Sequence, residues 1–337
     1  MEEDTGSAVA VTGAADFLGS HICRALLQCG YAVRAVTRED SNRKLPDDLS
    51  EQVELQAADV RDPESLNQAL QNVHAVIHNA EIVTIDVDPK GLADEVNLTG
   101  TRNVIQACIG NGVHRLVHIS SLHAFSPLRG TTLSVSSKLG QNSKIPYVAT
   151  KAEAHMSVLD AARGGLLNAS IVCPAGLIGP GDSEPTLVGS MLLAMARKQL
   201  PCLINGGFWW SDVRDVANAI ANAVGASGYG GEVYFTAGQY AKTSQLARLC
   251  SQVLGRSVRC PVMPYFLARA ALPLIKSRAA KRNQSSLYSR NSLKLLRDCP
   301  ASVDESLAMS QLGYEPRPLE ESIRDALNWF TEQGMRF

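Results

Sequence analysis

The stretch that most limits what this chain can become is Ala8–Ser20, Ala-Val-Ala-Val-Thr-Gly-Ala-Ala-Asp-Phe-Leu-Gly-Ser, where a small, β-branched run ends in spaced glycines. Residues 8 to 11 predict a buried parallel strand. Leu18, Ile22, Leu26 and Cys29 then recur at helical spacing until Gly30 offers a C-terminal cap. The glycines therefore fall at a strand-to-helix turn, where the free N–H groups and positive end of a helix favour a pyrophosphate. Gly13, Asp16, Phe17, Leu18 and Gly19 are the candidate phosphate-binding residues. A Gly-x-x-Gly-x-x-Gly spacing from Gly13 calls for glycine at 16 and 19, and only the second is present. Asp16 occupies the position where backbone must approach phosphate.

The chain's 337 residues suffice for a large core, and there is no second glycine signature and no repeat, so one unit of two lobes is expected. Its 32 basic and 33 acidic side chains nearly cancel, which gives no electrostatic footprint for nucleic acid. The start, Met-Glu-Glu-Asp-Thr-Gly, lacks the basic and apolar regions of a secretory signal, and no apolar run approaches the ~20 residues of a spanning helix. A soluble, cytoplasmic protein is the expectation. Eight scattered cysteines form no Cys-x-x-Cys or Cys/His cluster, so they read as buried thiols rather than a metal site or disulfide framework. The sequons at Asn97, Asn168 and Asn283 are discounted as chance matches.

Further strands are predicted at 31–37, 53–58, 73–78, 115–120, 168–173 and 232–236, with helices between them. Asp62 is the expected N-cap of one helix and Pro63 its first residue. This alternation predicts an α/β, Rossmann-type doubly wound parallel sheet with a smaller, mostly helical C-terminal substrate lobe. Residues 7–178 and 211–238 are assigned to the dinucleotide-binding domain, and 179–210 and 239–337 to the substrate lobe. Arg38 ends the second strand, where an adenosine ribose would lie. An acidic residue there suits a 2′-hydroxyl and an arginine a 2′-phosphate, so Arg38 favours NADP over NAD, with a solvated loop arginine as the alternative. The apolar segment 262–275, followed by Lys276, Arg278, Lys281 and Arg282, is read as a pocket wall, a peripheral membrane contact or simply a packed helix.

Tyr147 and Lys151 lie four residues apart on one helical face. A phenol with a pKa near ~10 is a poor proton shuttle at neutral pH, and a neighbouring ammonium is expected to lower it. Ser121, or with less support Ser120, at the end of the fifth strand would share the substrate oxygen with Tyr147. His123, two residues on, is placed facing substrate or solvent. Phe208-Trp209-Trp210 is either an aromatic wall or packing between lobes, and Asp212, Arg214 and Asp215 are expected to form ion pairs at a helix start.

With these residues the sequence resembles the extended short-chain dehydrogenase/reductase family, in the manner of dihydroflavonol-reductase-like and 3β-hydroxysteroid-dehydrogenase-like members. The resemblance rests on Thr-Gly-x-x-x-x-x-Gly at 12–19, Asp59-Val60, Asn-Leu-Thr-Gly-Thr at 97–101 and His-Ile-Ser-Ser at 118–121. Tyr147 and Lys151, Pro-Ala-Gly at 174–176, Trp-Ser-Asp-Val-Arg-Asp-Val at 210–216 and the Leu-Gly-Tyr-Glu-Pro stretch at 312–316 extend it over nearly the whole chain. It implies an NAD(P) cofactor with Tyr147 as acid/base, Lys151 bonding the nicotinamide ribose and Ser121 orienting a carbonyl. Asp59 and Val60 would hold the adenine, and Pro174 and Gly176 would flank the nicotinamide; by its own position at the end of the fourth strand, Asn79-Ala80-Glu81 is expected to lie over the cofactor. A homodimer is also implied.

Asp16 and Glu81 depart from that family, and both set a carboxylate beside a dianionic cofactor. Unpaired, each such charge at ~4 Å would cost about 1 to 4 kcal/mol. The expected activity is interconversion of a secondary alcohol and a ketone on an apolar small molecule. The alternatives are a nucleotide-sugar epimerase or dehydratase with tightly held NAD, and a non-catalytic or weakly catalytic relative acting in binding or regulation.

Overall fold

In a computed structural model, residues 8–337 are described except 87, 89, 127, 128, 227, 229, 259 and 282–287, and the side chains of 275–281 are also outside the description. The sequon at Asn283 and the basic residues Lys276, Arg278, Lys281 and Arg282 thus lie outside the described side chains. Strand β1 (Ala8–Thr12) alternates small side chains to its two faces, so Val9 and Val11 enter one apolar layer and Ala10 the other. Helix α1 (Phe17–Gln28) follows, with Cys29 as its C-cap and Gly30 at φ 85°. The chain then forms β2 (Val33–Thr37), β3 (Glu54–Ala57), helix α2 (Pro63–Ala69), β4 (Val73–His78), helix α3 (Gly100–Gly110), β5 (Arg115–Ile119), helix α4 (Pro146–Arg163) and β6 (Ala169–Pro174).

The second and third strands are shorter than the sequence suggests. The third lies at the sheet edge with Leu55 exposed, where fewer neighbours enforce the pattern. Asp62 caps α2 by accepting from the Glu64 N–H, with Pro63 in the first turn.

After β6 come β7 (Gly176–Ile178), helix α5 (Leu187–Ala196), β8 (Gly207–Asp212), helix α6 (Val213–Gly225), β9 (Glu232–Thr236) and β10 (Gln239–Lys242). Helices α7 (Thr243–Val253), α8 (Tyr265–Lys281), α9 (Arg290–Arg297) and α10 (Leu319–Glu332) complete the main elements. The central sheet has the order β9-β6-β5-β4-β1-β2-β3, with every neighbouring pair parallel. Order reverses between β1 and β4, and such a switch point opens a crevice at the strands' carboxyl ends.

Helices α1 and α6 cover one face through Ile22, Leu26, Val216 and Ile220, while α2, α3 and α4 cover the other through Leu66, Val104 and Val158. A smaller sheet, β10-β8-β7, packs with α5, α7 and α10 around Trp210, Leu192, Leu246 and Ile323. Ion pairs tie α6 to the C-terminal region: Arg214 reaches Asp212 at 2.8 Å and Asp325 at 2.7 Å, and Arg317 reaches Asp215 at 2.6 Å.

The apolar 262–275 segment mostly becomes α8. Its Ala268 and Leu272 are buried with Cys202, Ile204 and Leu293, and Phe266, Leu267 and Leu274 are exposed. Among the described residues no helix is long and apolar enough to cross a membrane.

Candidate active site

The turn between β1 and α1 sits at the switch point. Gly13 has φ 67°, and a Cβ there would lie 2.9 Å from the Ala80 Cα, so side-chain bulk is excluded where β1 and β4 diverge. A Cβ on Gly19 would strike the Gly13 carbonyl. Asp16 has the extended backbone of an N-cap but makes no side-chain capping bond. The N–H groups of Phe17, Leu18 and Gly19, in the first turn of α1, thus point into the crevice without a cap.

The Asp16 carboxylate instead accepts a bond from Arg43 Nη1 at 2.5 Å, and Arg43 Nε donates at 2.9 Å to Glu184. Burial raises the Asp16 carboxyl above its ordinary value more than Arg43 lowers it. Asp16 is therefore not an unpaired carboxylate. The reason is a guanidinium 27 residues along the chain, brought back by the loop after β2.

Arg38 is half exposed at the end of β2, with Asp40 3.6 Å away. The Asp59 carboxylate is bound by Arg61, whose guanidinium holds it below the usual range, and Val60 packs under Gly100. Pro174 ends β6, and Gly176 lies where a Cβ would come 3.1 Å from the Trp210 ring. A glycine-lined turn with uncapped helix N–H groups, at the crevice of a doubly wound sheet, fits a dinucleotide such as NAD(P).

Deeper in the crevice, α4 brings up Tyr147 and Lys151, both buried. Lys151 Nζ donates to the Ile119 carbonyl at 2.6 Å and pairs with Glu81 at 3.0 Å. The Tyr147 hydroxyl donates to the same Glu81 oxygen at 3.3 Å and is hydrogen-bonded to Ser121. Glu81 is thus not an unpaired carboxylate either. Burial first, and then the Glu81 charge, hold the Tyr147 phenol well above its ordinary value of about 10, against the Ser121 bond. This corrects the expectation of a phenol lowered by Lys151, because the ammonium's charge is met by Glu81.

The two serines have different partners. Ser120 Oγ is bonded to His155 Nδ1 at 3.0 Å beneath the sheet, whereas Ser121 faces Tyr147 and accepts from the His123 N–H.

Buried polar side chains fix these elements. Asn97 accepts from the Ile82 N–H at 2.8 Å and donates to the Ile82 carbonyl at 2.9 Å and to Thr150 Oγ1 at 3.2 Å, clamping the chain beyond Glu81 to α4. Thr12, His78 and Thr101 form a second chain, with the imidazole bonded to Thr12 at 2.8 Å and to Thr101 at 3.0 Å. Burial and the Lys151 charge push His78 down to about 3, so it is neutral. Arg43, His155 and the bonding of Asn97 were missed by sequence reasoning. No local pattern marks a partner supplied from another element, although the Asn97–Thr101 motif placed the last of these.

A cavity of about 500 Å³ adjoins Ser121 and Tyr147 through their sequence neighbours Leu122, His123, Ile145 and Val148. Phe125, Gly176, Phe208, Trp209 and Leu295 add to an apolar lining, and Asn142, Lys144, Asn291 and Asp298 contribute polar groups. The aromatic triplet divides its work. Phe208 and Trp209 line the cavity, with Trp209 Nε1 donating to the Pro300 carbonyl, whereas Trp210 is packed between β10 and β7. His123 stands edge-on to Phe208 and is pushed down to about 4 by burial, so it meets the cavity uncharged. The far wall comes from α9 and the residues after it, and not from 262–275.

A doubly wound sheet with a glycine turn at its switch point and a Ser-Tyr-Lys cluster beside an apolar cavity defines a dinucleotide-dependent enzyme of the short-chain dehydrogenase/reductase type. Residues 9–235 match the NAD dependent epimerase/dehydratase family, and the chain belongs to that family. It is 33% identical over 333 residues to "Sterol demethylase protein B" of Methylococcus capsulatus, covering 96% of this chain and 98% of the relative. It is 27% identical to a "Putative dihydroflavonol 4-reductase" of Synechocystis over 96% and 94% of the two chains. The crystal structure of gox2253 superposes with a TM-score of 0.84 at 28% identity, over 98% of this chain and all of that one.

Proposed function

We propose that the protein interconverts a secondary alcohol and a ketone on an apolar, ring-bearing small molecule, with NADP preferred. The observation that carries this reading is the apolar cavity lined by Leu122, His123, Ile145 and Val148, the chain neighbours of Ser121 and Tyr147. Its volume falls within the range of small-molecule sites, and its few polar groups suffice to orient one substrate. A sterol-like ketone is the first candidate, in keeping with the relative described as a sterol demethylase protein.

The nicotinamide, when bound, supplies or accepts the hydride. Ser121 and Tyr147 hold the substrate oxygen by hydrogen bonds, and Tyr147 gives it a proton in reduction or removes one in oxidation. Because the phenol is held high, it is fully protonated at neutral pH, which suits the acid role in reduction. Lys151 has three N–H donors; one is on Ile119 and one on Glu81, which leaves one for a ribose hydroxyl. Gly13 and the first turn of α1 receive the pyrophosphate, and Arg38 a 2′-phosphate.

Calorimetric titration with NADPH and NADH tests the cofactor assignment. Wild type should bind NADPH more tightly, and Arg38→Ala should weaken NADPH about tenfold or more while leaving NADH nearly unchanged. Equal losses for both would return Arg38 to a solvent role.

A further inference from the structure

Tyr147 and Ser121 are each 6% exposed and Lys151 2%, so the groups that would handle the substrate proton have little contact with bulk solvent. A phenol that gives up a proton in every turnover must be reprotonated. The titratable groups around it offer few routes. Cys173, fully buried on β6, has its thiol pushed up to about 12 by burial. His155, buried on α4, is pushed down to about 3, and His118 is buried and held well below its ordinary value. Lys151 is bonded inward to Ile119. Glu81 differs from all of these: one carboxylate oxygen touches both the Tyr147 hydroxyl and the Lys151 ammonium, and its side chain is 30% exposed. Asp16, whose charge is felt in the same crevice, is engaged by Arg43.

We propose that Glu81 is the residue through which buried Tyr147 exchanges its proton with solvent, a relay rather than a defect in the cofactor site. This rests on the oxidoreductase reading above. In reduction the Tyr147 O–H bond breaks as its proton passes to the substrate oxygen, while the substrate carbon takes the hydride. A carboxyl proton on Glu81, drawn from water, then passes to the phenolate and restores the O–H. In oxidation the same proton leaves by the reverse route. Glu81 acts through Tyr147 and not on substrate. Asn97, by clamping Ile82, holds the backbone that presents it.

The test has two parts, one of them free of cofactor. With Tyr147→Phe as the blank, tyrosinate absorbance should show the Tyr147 phenol ionising at lower pH in Glu81→Gln than in wild type, since the neighbouring negative charge is gone; an unchanged titration would overturn the proposal. In turnover with NADPH and a ketone, Glu81→Ala should lose about tenfold or more in kcat with KM nearly unchanged, and added formate should restore kcat in a concentration-dependent way. Undiminished kcat, or a loss that formate does not relieve, would also overturn it. A wild-type protein silent towards every ketone would sink the oxidoreductase reading by itself, and the cofactor-free titration would then decide whether Tyr147 and Glu81 are coupled.

Discussion

Asp16 changes the meaning of the glycine turn because its charge arrives with a counter-charge. Paired with Arg43, it sets a near-neutral unit beside the proposed pyrophosphate site, and Arg43 in turn ties the turn to Glu184. Removing either partner alone should therefore have opposite effects. Arg43→Ala leaves a bare carboxylate facing the phosphates and should weaken NADPH binding by about 1 to 3 kcal/mol at low salt, roughly 5- to 150-fold. Asp16→Gly releases the guanidinium toward the phosphates and should tighten binding, and the double variant should return near wild type. Titration of the three variants at two ionic strengths checks this, because the Arg43→Ala loss should shrink as salt screens it. Weaker NADPH binding by Asp16→Gly, or unchanged binding by Arg43→Ala, would show that the pair does not face the phosphates as a unit.

At this scale the sequence disclosed the odd residues and hid their partners. Asp16 and Glu81 stood out against the motif, but Arg43 lies in an irregular loop and Lys151 on another helix, and pairing between elements leaves no local trace.

Among the elements, the strands and helices around the crevice were legible because turn chemistry and apolar periodicity agreed. Gly13 and Gly30 bracket α1, and Asp62-Pro63 opens α2. Segment 262–275 was harder to read. Its residues are apolar on a face that packs and also on a face that does not, so composition could not separate a wall from a helix.

The start of α5 carries its own test. Asp182, 3% exposed, accepts from the Thr186 N–H and hydroxyl, while Thr186 caps the helix by accepting from the Gly189 N–H. Burial pushes the Asp182 carboxyl up to about 6 from 3.8. A raised acid binds its proton more tightly in the fold, so stability falls as pH rises between about 4 and 6, and the cost of charging it is fully present above 6. Asp182→Asn should thus be more stable than wild type above pH 6 by about 1 to 3 kcal/mol and equal to it below pH ~4. Denaturant midpoints across that range check it; a variant less stable at pH 7 would mean that the ionised carboxylate is the better cap. A Cβ at Gly189 would strike the same carboxylate, so Gly189→Ala should destabilise.

For the whole molecule, burial of histidines sets the acid limit. His21 and His123 are pushed down to about 4 and His78 and His155 to about 3, and His118 lies well below its ordinary value, each chiefly by burial. A base whose folded pKa is depressed costs nothing above the unfolded value of 6.5 and opposes folding progressively as pH falls below it. Each therefore costs stability as pH falls through 6.5 and below. Melting temperature should be level above pH 7 and fall steeply from pH 6.5 downward; a flat profile to pH 5 would show that these imidazoles are hydrated in the fold.

The central claim is that this family member is a working oxidoreductase whose buried Tyr147 carries the substrate proton. Its most direct test is steady-state NADPH oxidation with a sterol-like ketone by wild type and Tyr147→Phe, alongside NADPH binding by each. Wild type should turn over, and Tyr147→Phe should keep its NADPH affinity within about threefold while losing at least ~10²-fold in kcat. Near-normal turnover by Tyr147→Phe would contradict the account.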